Sequence, residues 1–355
     1  MAFWKFLLLP FAWIYGVIVK IRHFLFDKGI LTSHVFPIPI IGVGNLSLGG
    51  TGKTPMVEYL IELLKDYKVA VLSRGYGRKT SGFFLADQYS TARDIGDEPM
   101  QYYKKFGKKV IVAVDENRVN GISRLMQYNS SLQVILLDDS FQHRYIKPGI
   151  NILLTNINKL YTNDHLIPVG KLRDIKSAAK YADIIMVSKT DIVLSPIVQR
   201  HVEAKLKPLP HQKLYFSYLK YQKFKPVPEL EITPLRKEKP TVIVLFTGIA
   251  NSWPLVAYLK TQCSELYHLK FKDHHNFTLK DVEKIINTFD DQFSMNKIIL
   301  TTEKDMMRLT KSPYFSRFNK KPFYYIPIKT KIHKPFKEDF NQQILNYVER
   351  NKRNS

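Results

Sequence analysis

Cysteine is nearly absent from this sequence, because Cys263 is the only one among 355 residues. A single cysteine excludes an internal disulfide, and it excludes zinc sites and iron–sulfur clusters that need several cysteine ligands. Internal repeats and low-complexity stretches are absent too, which argues against a repeat array. Such sparse use of cysteine is typical of a reducing compartment, so we expect the chain to lie on the cytoplasmic side.

Acidic residues are scarce relative to basic ones: 31 Asp and Glu stand against 54 Lys and Arg, giving a formal net charge of +23. This excess favours a polyanionic partner, which would be nucleic acid, an anionic membrane face or a phosphorylated substrate. A lysine-rich, well-solvated surface would give the same composition. Apolar residues make up 45% of the chain and charged residues 24%, which is typical of a folded globular protein.

Long hydrophobic runs are missing except near the N-terminus, where residues 6–19 are almost entirely apolar. The run is shorter than the ~20 residues that a spanning helix needs, and Pro10 interrupts it. Its aromatic residues and the flanking Lys20 and Arg22 favour a helix lying in a bilayer interface. A buried helix is one alternative, and a signal peptide is another, although no small-residue cleavage site follows. We expect a membrane-associated helix over residues 1–28.

Short β-rich runs alternate with helical patterns along the first half of the chain. The helical pattern over residues 55–67 places its apolar residues at i, i+3 and i+4 spacing, which gives the helix one apolar face. Strands joined by such crossovers predict an α/β fold with a mainly parallel sheet and helices on both faces. The predicted strands cover residues 38–43, 69–73, 110–114, 134–137, 150–154 and 183–187.

The second half of the chain begins with a change in composition. Residues 208–240 are rich in proline and charge, which predicts a linker with a short strand near residues 214–219. A second α/β pattern follows, with β-rich runs that start at Thr241, Lys297 and Phe323. The predicted domains are a P-loop core over residues 29–207 and a smaller α/β domain over residues 241–355.

The strongest local motif is Gly-Val-Gly-Asn-Leu-Ser-Leu-Gly-Gly-Thr-Gly-Lys-Thr at residues 42–54. It lies between a predicted strand and a predicted helix, where the glycines of a Walker A loop let backbone N–H groups point at phosphate oxygens. Ser47 replaces the first glycine of the usual pattern, and a plain glycine-rich turn is the alternative interpretation. Lys53 would reach the β- and γ-phosphates, and Thr54 would ligate Mg²⁺. The candidate phosphate-binding residues are Gly49, Gly50, Thr51, Gly52, Lys53 and Thr54.

A second motif is the apolar run over residues 134–137 that ends in Asp138 and Asp139. A buried strand that delivers a carboxylate to the magnesium ion beside a P-loop is the Walker B arrangement. Acids just after a strand are also common turn residues. Adjacent carboxylates point in different directions on a strand, so only one of the two faces the metal directly, and the sequence leaves open which.

Further titratable side chains cluster in loops. Asp97 precedes a proline-started helix, where a helix N-cap is the alternative role. His274 and His275 are adjacent and therefore unsuited to binding one ion together, so a catalytic histidine held by an acid is favoured. Arg74 and Arg78 lie on a glycine loop suited to a phosphate or a sugar. Two isolated arginines, which a solvated surface would explain equally well, are Arg118 and Arg173.

Taken together, these segments resemble the tetraacyldisaccharide 4′-kinases of lipid A biosynthesis. Their order and spacing match that family from the apolar N-terminal helix to the Thr-Thr-Glu-Lys-Asp stretch that ends at Asp305. One small departure is Asp174, which stands where the family often has glutamate. The matching segments cover residues 44–55, 73–78, 96–99, 138–144 and 273–275.

The resemblance implies a P-loop NTPase-like kinase that uses ATP and Mg²⁺. Its reaction would transfer the γ-phosphate to the 4′-hydroxyl of a tetraacylated glucosamine disaccharide 1-phosphate, making lipid IVA for lipopolysaccharide. The lipid and an anionic membrane surface would be its partners, with no nucleic acid and no protein partner evident. The chain would lie at the cytoplasmic face of the inner membrane, bound peripherally or through a single N-terminal anchor.

The resemblance also implies roles for individual residues. Asp97 and His274 would assist deprotonation of the attacking hydroxyl, with His275 as the substitute for His274, while Lys53 and Asp139 complete the catalytic set. Asn45 joins the nucleotide-binding loop, and the metal ligands would be Thr54, Asp138 and Asp139. The substrate-binding residues would be Arg74, Tyr76, Arg78, Arg118, Gln142, His143 and Arg173.

Two other classes of protein share some of these features. A P-loop GTPase or metallochaperone-like NTPase is suggested by Ser-Lys-Thr-Asp at residues 188–191, which resembles a guanine-reading motif. Against it, the segment after Asp138 lacks the glycine with which a switch loop senses the γ-phosphate. A non-catalytic basic protein that binds membranes or nucleic acid is permitted by the net charge, but it would leave the P-loop unexplained.

Overall fold

The computed structural model describes residues 7–228, 230–232, 234, 239–273, 275–310 and 312–351. These residues form two compact units. The first unit comprises the described residues up to Leu219 together with those from Thr330 onward, and the second unit covers Lys220–Lys329.

The first unit is built on a nine-stranded sheet. Its strands are β1 (Ile40–Gly44), β2 (Val69–Ser73), β3 (Phe84–Leu85), β4 (Val110–Val114), β5 (Val134–Asp138), β6 (Ile150–Asn156), β7 (Ile184–Ser188), β8 (Lys213–Tyr221) and β14 (Ile328–Ile332). Their order across the sheet is β14-β8-β7-β6-β1-β5-β2-β4-β3. Parallel pairs join β1 to β5 and β6, β2 to β4 and β5, and β7 to β6 and β8, whereas the short edge strand β3 is antiparallel to β4. The predicted mainly parallel sheet is therefore confirmed.

Side chains of the central strands alternate between two apolar layers. In β1, Ile41 and Val43 pack on one face, while Ile40 packs on the other. This alternation follows from the two-residue period of a strand, and it requires apolar cover on both faces of the sheet. The helices of this unit are α1 (Leu9–Asp27), α2 (Lys53–Leu63), α3 (Ala92–Ile95), α4 (Asp97–Phe106), α5 (Arg118–Tyr128), α6 (Pro196–Leu206) and α10 (Lys334–Asn351).

Helix α1 differs from the sequence expectation at Pro10. The proline lies in the first turn of the helix, where its missing N–H and fixed φ are compatible with helix formation. It therefore opens the helix rather than interrupting it. Helix α1 has 19 residues and is long and apolar enough to cross a membrane. Its exposed apolar side chains include Phe11, Trp13, Ile14, Ile18, Ile21 and Phe24.

The second unit has its own five-stranded sheet. The elements of this unit are β9 (Lys225–Pro226), β10 (Val242–Thr247), α7 (Trp253–Leu259), β11 (Glu265–Lys270), α8 (Leu279–Asp290), β12 (Lys297–Thr302), α9 (Glu303–Leu309) and β13 (Phe323–Ile326). The strand order is β11-β10-β12-β13-β9. All neighbouring strands pair in parallel except β9, which runs antiparallel to β13.

The division between the units differs from the predicted domain boundaries at two places. Strand β8 lies inside the predicted linker over residues 208–240, yet it belongs to the first sheet. Helix α10, predicted as part of the second domain, buries Phe340, Ile344 and Val348 in the core cluster that also contains the P-loop helix α2. These three residues recur at four-residue intervals and form one apolar stripe, which periodicity shows but no sequence motif marks.

Candidate active site

The predicted Walker A loop connects β1 to α2, as the sequence pattern requires. Gly52, just before α2, has a φ of +87° that only glycine adopts readily. Thr54 lies buried in the first turn of α2 beside Lys53, and Gly49 and Gly50 form the exposed tip of the loop. Such a loop presents backbone N–H groups and the positive end of a helix to an anion.

A distant segment runs alongside the loop and brings in Arg173. The backbone N–H of Leu48 donates to the Lys171 carbonyl at 2.7 Å, and the N–H of Arg173 donates to the Leu46 carbonyl at 2.8 Å. The pairing places the Arg173 guanidinium at the P-loop. More than 120 residues separate the paired segments, so local sequence patterns could not predict this contact.

Four predicted site residues form one hydrogen-bonded cluster at the loop. The Lys53 ammonium lies 3.3 Å from Asp139 Oδ1 and donates to Asn45 Oδ1 at 3.1 Å. Arg173 donates to both carboxylate oxygens of Asp139 and, at 2.7 Å, to Asn45 Oδ1. Burial alone would raise the pKa of Asp139, but Arg173 and Lys53 outweigh it and hold the pKa well below its usual range. Asp139 is thus a permanent anion between two cations.

Asp138, the preceding residue, lies in a different environment. Its buried carboxylate accepts hydrogen bonds from the Tyr102 hydroxyl at 3.1 Å and the Ser73 hydroxyl at 3.4 Å. Burial and, to a lesser extent, the neighbouring charges of Asp139 and Glu98 raise the pKa of Asp138 to about 6. A cation that approaches Asp138 would lower this pKa again, because a positive charge favours the ionised carboxylate.

Basic side chains surround the two carboxylates. Buried Arg118 donates to the Asp138 backbone carbonyl at 3.4 Å, and burial lowers its pKa to about 10. Burial and the charges of Arg118 and Arg74 lower the pKa of His143 to about 4, so this imidazole is neutral at pH 7. Gln142 donates its side-chain N–H to the Asn45 carbonyl at 2.8 Å. The structure thus brings these four predicted substrate-binding residues to the same loop region.

Asp97 is the first residue of α4, and the N-cap of this helix is Gly96. It follows Gly96, whose φ of +92° favours glycine and whose Cα faces the backbone of Gly75 and Tyr76. A Cβ at Gly96 would lie 3.1 Å from the Tyr76 carbonyl oxygen, so the loop that carries Asp97 and the loop over residues 73–78 can meet this closely only through glycine. Asp97 therefore lies beside the arginine-bearing glycine loop.

The remaining predicted residues are Arg78, Tyr76 and His274. The Arg78 guanidinium pairs with Glu116 and donates to the Gly82 carbonyl at 2.7 Å, which orders its own loop. Tyr76 is 78% exposed. His274 lies outside the described residues, and its neighbour His275 bonds to Asp281 Oδ2 at 2.9 Å. The roles of these residues in substrate binding and catalysis stay predictions.

Contacts from α1 to the site loops were missed at the sequence level. The Tyr15 hydroxyl donates to the Arg173 carbonyl at 2.7 Å, and Arg22 donates to the Gln142 carbonyl at 3.0 Å. Buried His23 bonds to Asp174 Oδ1 at 2.7 Å. The available signal was a polar face with helical spacing inside an otherwise apolar run, since positions 15, 22 and 23 fall on one side of a helix.

The segment over residues 188–191, which suggested a guanine-reading motif, supports the P-loop directly. The Ser188 hydroxyl donates to the Thr51 carbonyl at 2.7 Å and to the Thr155 carbonyl at 3.2 Å. The hydroxyl of Thr190 is buried against His333 Nε2 at 2.7 Å. Two of the four residues in this segment therefore have structural partners within the first unit.

Comparisons with known proteins agree on one family. A family model described as "Tetraacyldisaccharide-1-P 4′-kinase" matches residues 4–348. The tetraacyldisaccharide 4′-kinase of Bacteroides thetaiotaomicron is 45% identical over 98% of this chain and 94% of its own length. That of Flavobacterium johnsoniae is also 45% identical, over 97% of both chains. A crystal structure described as the "apo" form of LpxK from Aquifex aeolicus in complex with ATP matches with a TM-score of 0.71 and 27% identity, covering 97% of this chain and 99% of that one.

Proposed function

Because the chain belongs to the tetraacyldisaccharide-1-P 4′-kinase family, we propose that the cluster at the ends of β1 and β5 carries out this family's reaction. The protein is an ATP-dependent lipid A 4′-kinase. It transfers the γ-phosphate of ATP to the 4′-hydroxyl of a tetraacylated glucosamine disaccharide 1-phosphate, and the product is lipid IVA. The assignment of individual residues to steps of this reaction is the proposal.

The observation that carries this assignment is the position of Lys53. Its ammonium lies at the start of α2, held by Asp139 and Asn45 through oxygens at 3.3 and 3.1 Å. Phosphate oxygens are ligands of the same kind, so a nucleotide in the loop would compete for this ammonium. Lys53 would then stabilise the charge that develops on the transferred phosphoryl group, while Arg173 stays close enough to share that task.

Thr54 and Asp138 fit a magnesium ion by the chemistry of their donor atoms. Both present oxygen, which Mg²⁺ prefers, and Tyr102 is hydrogen-bonded to both side chains. A bound Mg²⁺ would neutralise charge on the β- and γ-phosphates. We assign Asp138 rather than Asp139 as the direct ligand, because Asp139 already binds Lys53 and Arg173.

Asp97 is proposed as the base that accepts the proton of the sugar hydroxyl. A hydroxyl is a poor nucleophile at neutral pH, so a carboxylate within hydrogen-bond reach assists its attack on the γ-phosphate. His274 is proposed to orient or tune this carboxylate. Arg74, Tyr76, Arg78, Arg118, Gln142, His143 and Arg173 are proposed to bind the phosphates or sugars of the two substrates.

The membrane is proposed as the surface from which the lipid is taken, at the cytoplasmic face of the inner membrane. Support comes from α1, where Trp13 is 72% exposed and Ile14 and Ile18 are also exposed. Replacing these three residues by serine leaves Tyr15 and Arg22 intact. The variant should no longer sediment with anionic phospholipid vesicles, whereas sedimentation equal to that of the unaltered protein would assign membrane binding to the basic surface instead.

The reaction itself is tested by supplying γ-labelled ATP, Mg²⁺ and the disaccharide lipid to the purified protein. We expect label in the glycolipid at the 4′ position and far less transfer from γ-labelled GTP. Release of labelled inorganic phosphate without labelled lipid would instead support a P-loop NTPase of another kind. Equal transfer from GTP would contradict the assignment of ATP as the phosphate donor.

A further inference from the structure

Helices α2 and α4 pack through side chains that recur at matching intervals. On α4, Asp97, Gln101 and Lys105 are four residues apart and therefore share one face of the helix. On α2, Thr54 and Glu58 are also four residues apart. Helix α2 carries the nucleotide-binding lysine at its start, and α4 carries the proposed base at its start.

Glu58 connects the two helices through an ionic contact in which its own side chain is 5% exposed and that of Lys105 is 16% exposed. Glu58 is buried although it lies on a helix whose neighbouring positions Met56 and Leu60 belong to the apolar core. Lys105 Nζ donates to Glu58 Oε2 at 2.7 Å, and Gln101 Nε2 donates to Glu58 Oε1 at 2.8 Å. Both oxygens of the carboxylate are therefore bound by donors on α4.

A second contact joins the same helices one turn nearer the P-loop on α2. The Tyr102 hydroxyl donates to Asp138 Oδ2 at 3.1 Å, and it is also hydrogen-bonded to Thr54. On α2 the two contacts are four residues apart, which is about 6 Å along the helix, whereas on α4 Tyr102 lies between Gln101 and Lys105. Contacts at two levels of α2, together with the bond from Tyr102 to the end of β5, restrain the axial position and the rotation of α4 more than a single contact would.

Burying an ion pair is a poor way to gain stability, because the desolvation of both charges offsets most of their attraction. Well-packed apolar side chains of similar volume would serve a merely structural interface at least as well. The better-supported role for such a buried polar contact is to fix one register among several. Register matters here because a displacement of about 1 Å in a reacting group can cost roughly 10²-fold in rate.

We propose that Glu58, bound by Gln101 and Lys105, is a positioning residue that sets the proposed base Asp97 in register with Lys53 and Thr54. Glu58 acts through α4 and has no role in contacting either substrate. The inference rests on the proposed role of Asp97. It adds a group outside the P-loop and the Walker B strand to those on which turnover depends.

The first test is Glu58→Gln, which keeps the shape of the side chain and removes its charge. We expect kcat to fall by about 10- to 100-fold, with the KM for ATP changed by less than about threefold, because the phosphate-binding loop itself is intact. Lys105→Arg keeps a cation on Glu58 and should retain most of the rate. The matched control is Lys108→Met, which removes an exposed positive charge just past the end of the same helix and should leave kcat unchanged.

Loss of folding is separated from loss of register by the double variant Glu58→Gln/Lys105→Met. Removing both charges leaves no buried ion without its partner, so the thermal midpoint should rise above that of Glu58→Gln alone. The register is still unspecified, so kcat should stay low. Recovery of kcat together with the midpoint would show a merely structural pair and would overturn the proposal.

Combining Glu58→Gln with Asp97→Ala distinguishes an action of Glu58 through Asp97 from an independent role of Glu58. If Glu58 acts through Asp97, adding Glu58→Gln to Asp97→Ala should lower kcat by less than about twofold more. A full additional loss would assign Glu58 an independent role and overturn the positioning proposal alone. A normal rate in Asp97→Ala would end the assignment of the base, and the positioning proposal with it.

Discussion

The two parallel sheets of this molecule end in similar loops, but their polar side chains have different partners. In the first unit, β1 leads into the P-loop, and its neighbour β5 ends at Asp138 and is followed by Asp139. In the second unit, β10 leads into Gly248, and its neighbour β12 is followed by α9, which carries Asp305. Both places are the crevices at strand ends where α/β proteins commonly bind ligands.

The side-chain carboxylate of Asp305 binds partners that belong to its own unit. Its Oδ2 accepts from the Gly248 backbone N–H at 3.0 Å and from the Thr302 hydroxyl at 2.7 Å, while Arg308 lies 3.3 Å from Oδ1. The side chain is fully buried, whereas the side chains of Lys53 and Asp139 are 18% and 31% exposed. An acid at the end of a parallel strand is therefore not evidence of a site by itself. Its partners and its accessibility decide whether it binds a ligand or stabilises its own loop.

The largest expected effect comes from Lys53→Ala. This change removes a cation from the developing charge of the transition state, so we expect kcat to fall by about 10²-fold or more with little loss of stability. Measured lipid phosphorylation and a thermal melt check both parts. The exposed Lys65→Ala, just past the end of α2, is the control and should retain the normal rate. Near-normal phosphorylation by Lys53→Ala would remove the P-loop assignment.

A role in turnover is also predicted for His274, although its position in the sequence falls within the second unit. We predict that Asp97→Ala lowers kcat by about 10²-fold while altering ATP affinity little. The double variant with His274→Ala should be only slightly slower than Asp97→Ala alone, since members of one catalytic unit give non-additive losses. Steady-state kinetics of the three variants decide it. Additive losses would separate the two residues into independent roles, and a harmless His274→Ala would direct attention to His275.

A smaller effect is expected from pH, through Asp138. Its carboxylate must be ionised to bind a cation, and burial raises its pKa to about 6. We therefore expect kcat/KM for ATP with Mg²⁺ to fall about tenfold per pH unit below about pH 6. A profile that is flat down to pH 5 would contradict the assignment of Asp138 as metal ligand. High Mg²⁺ should shift the midpoint to lower pH, because metal binding favours the ionised form.

The smallest effect on turnover is expected from Asp305→Asn in the second unit. Replacing the carboxylate by an amide weakens its bonds to Gly248 and Thr302, so we expect a loss of about 1–3 kcal/mol in the free energy of unfolding. Chemical denaturation measures it. The rate per folded molecule should change much less than for any first-unit variant above. If turnover fell with unchanged stability, the distinction between the two sheet ends would be wrong.

The sequence predicted the local parts of this site well. The P-loop, the Walker B strand and the alternation of strands with helices depend on short spacings, and the structure brings Lys53 to 3.3 Å from Asp139 Oδ1 at the ends of the two predicted strands. The fold class follows from the same alternation and is confirmed.

Contacts between distant segments could not be predicted from such spacings. The pairing that brings Arg173 to the P-loop joins backbone groups, which carry no residue signature. The return of α10 to the first unit was not predicted, because an apolar stripe on a helix carries no mark of the sheet on which it packs. Glu58 showed only as a charge on an apolar helix face, and its meaning depends on Lys105, which lies 47 residues away in the chain.

The most direct test of the comparison is the rate of lipid phosphorylation per folded molecule in Asp138→Asn. The folded-state pKa of Asp138 is raised above its ordinary value, so the native state binds more protons than the unfolded state between about pH 4 and 6, and stability declines as pH rises through that window. At pH 8 the asparagine avoids an ionised buried carboxylate. We therefore expect a protein at least as stable as the unaltered one, with phosphorylation slower by about 10²-fold or more. A normal rate, or a marked loss of stability, would show that Asp138 serves the fold as Asp305 does and would contradict the account.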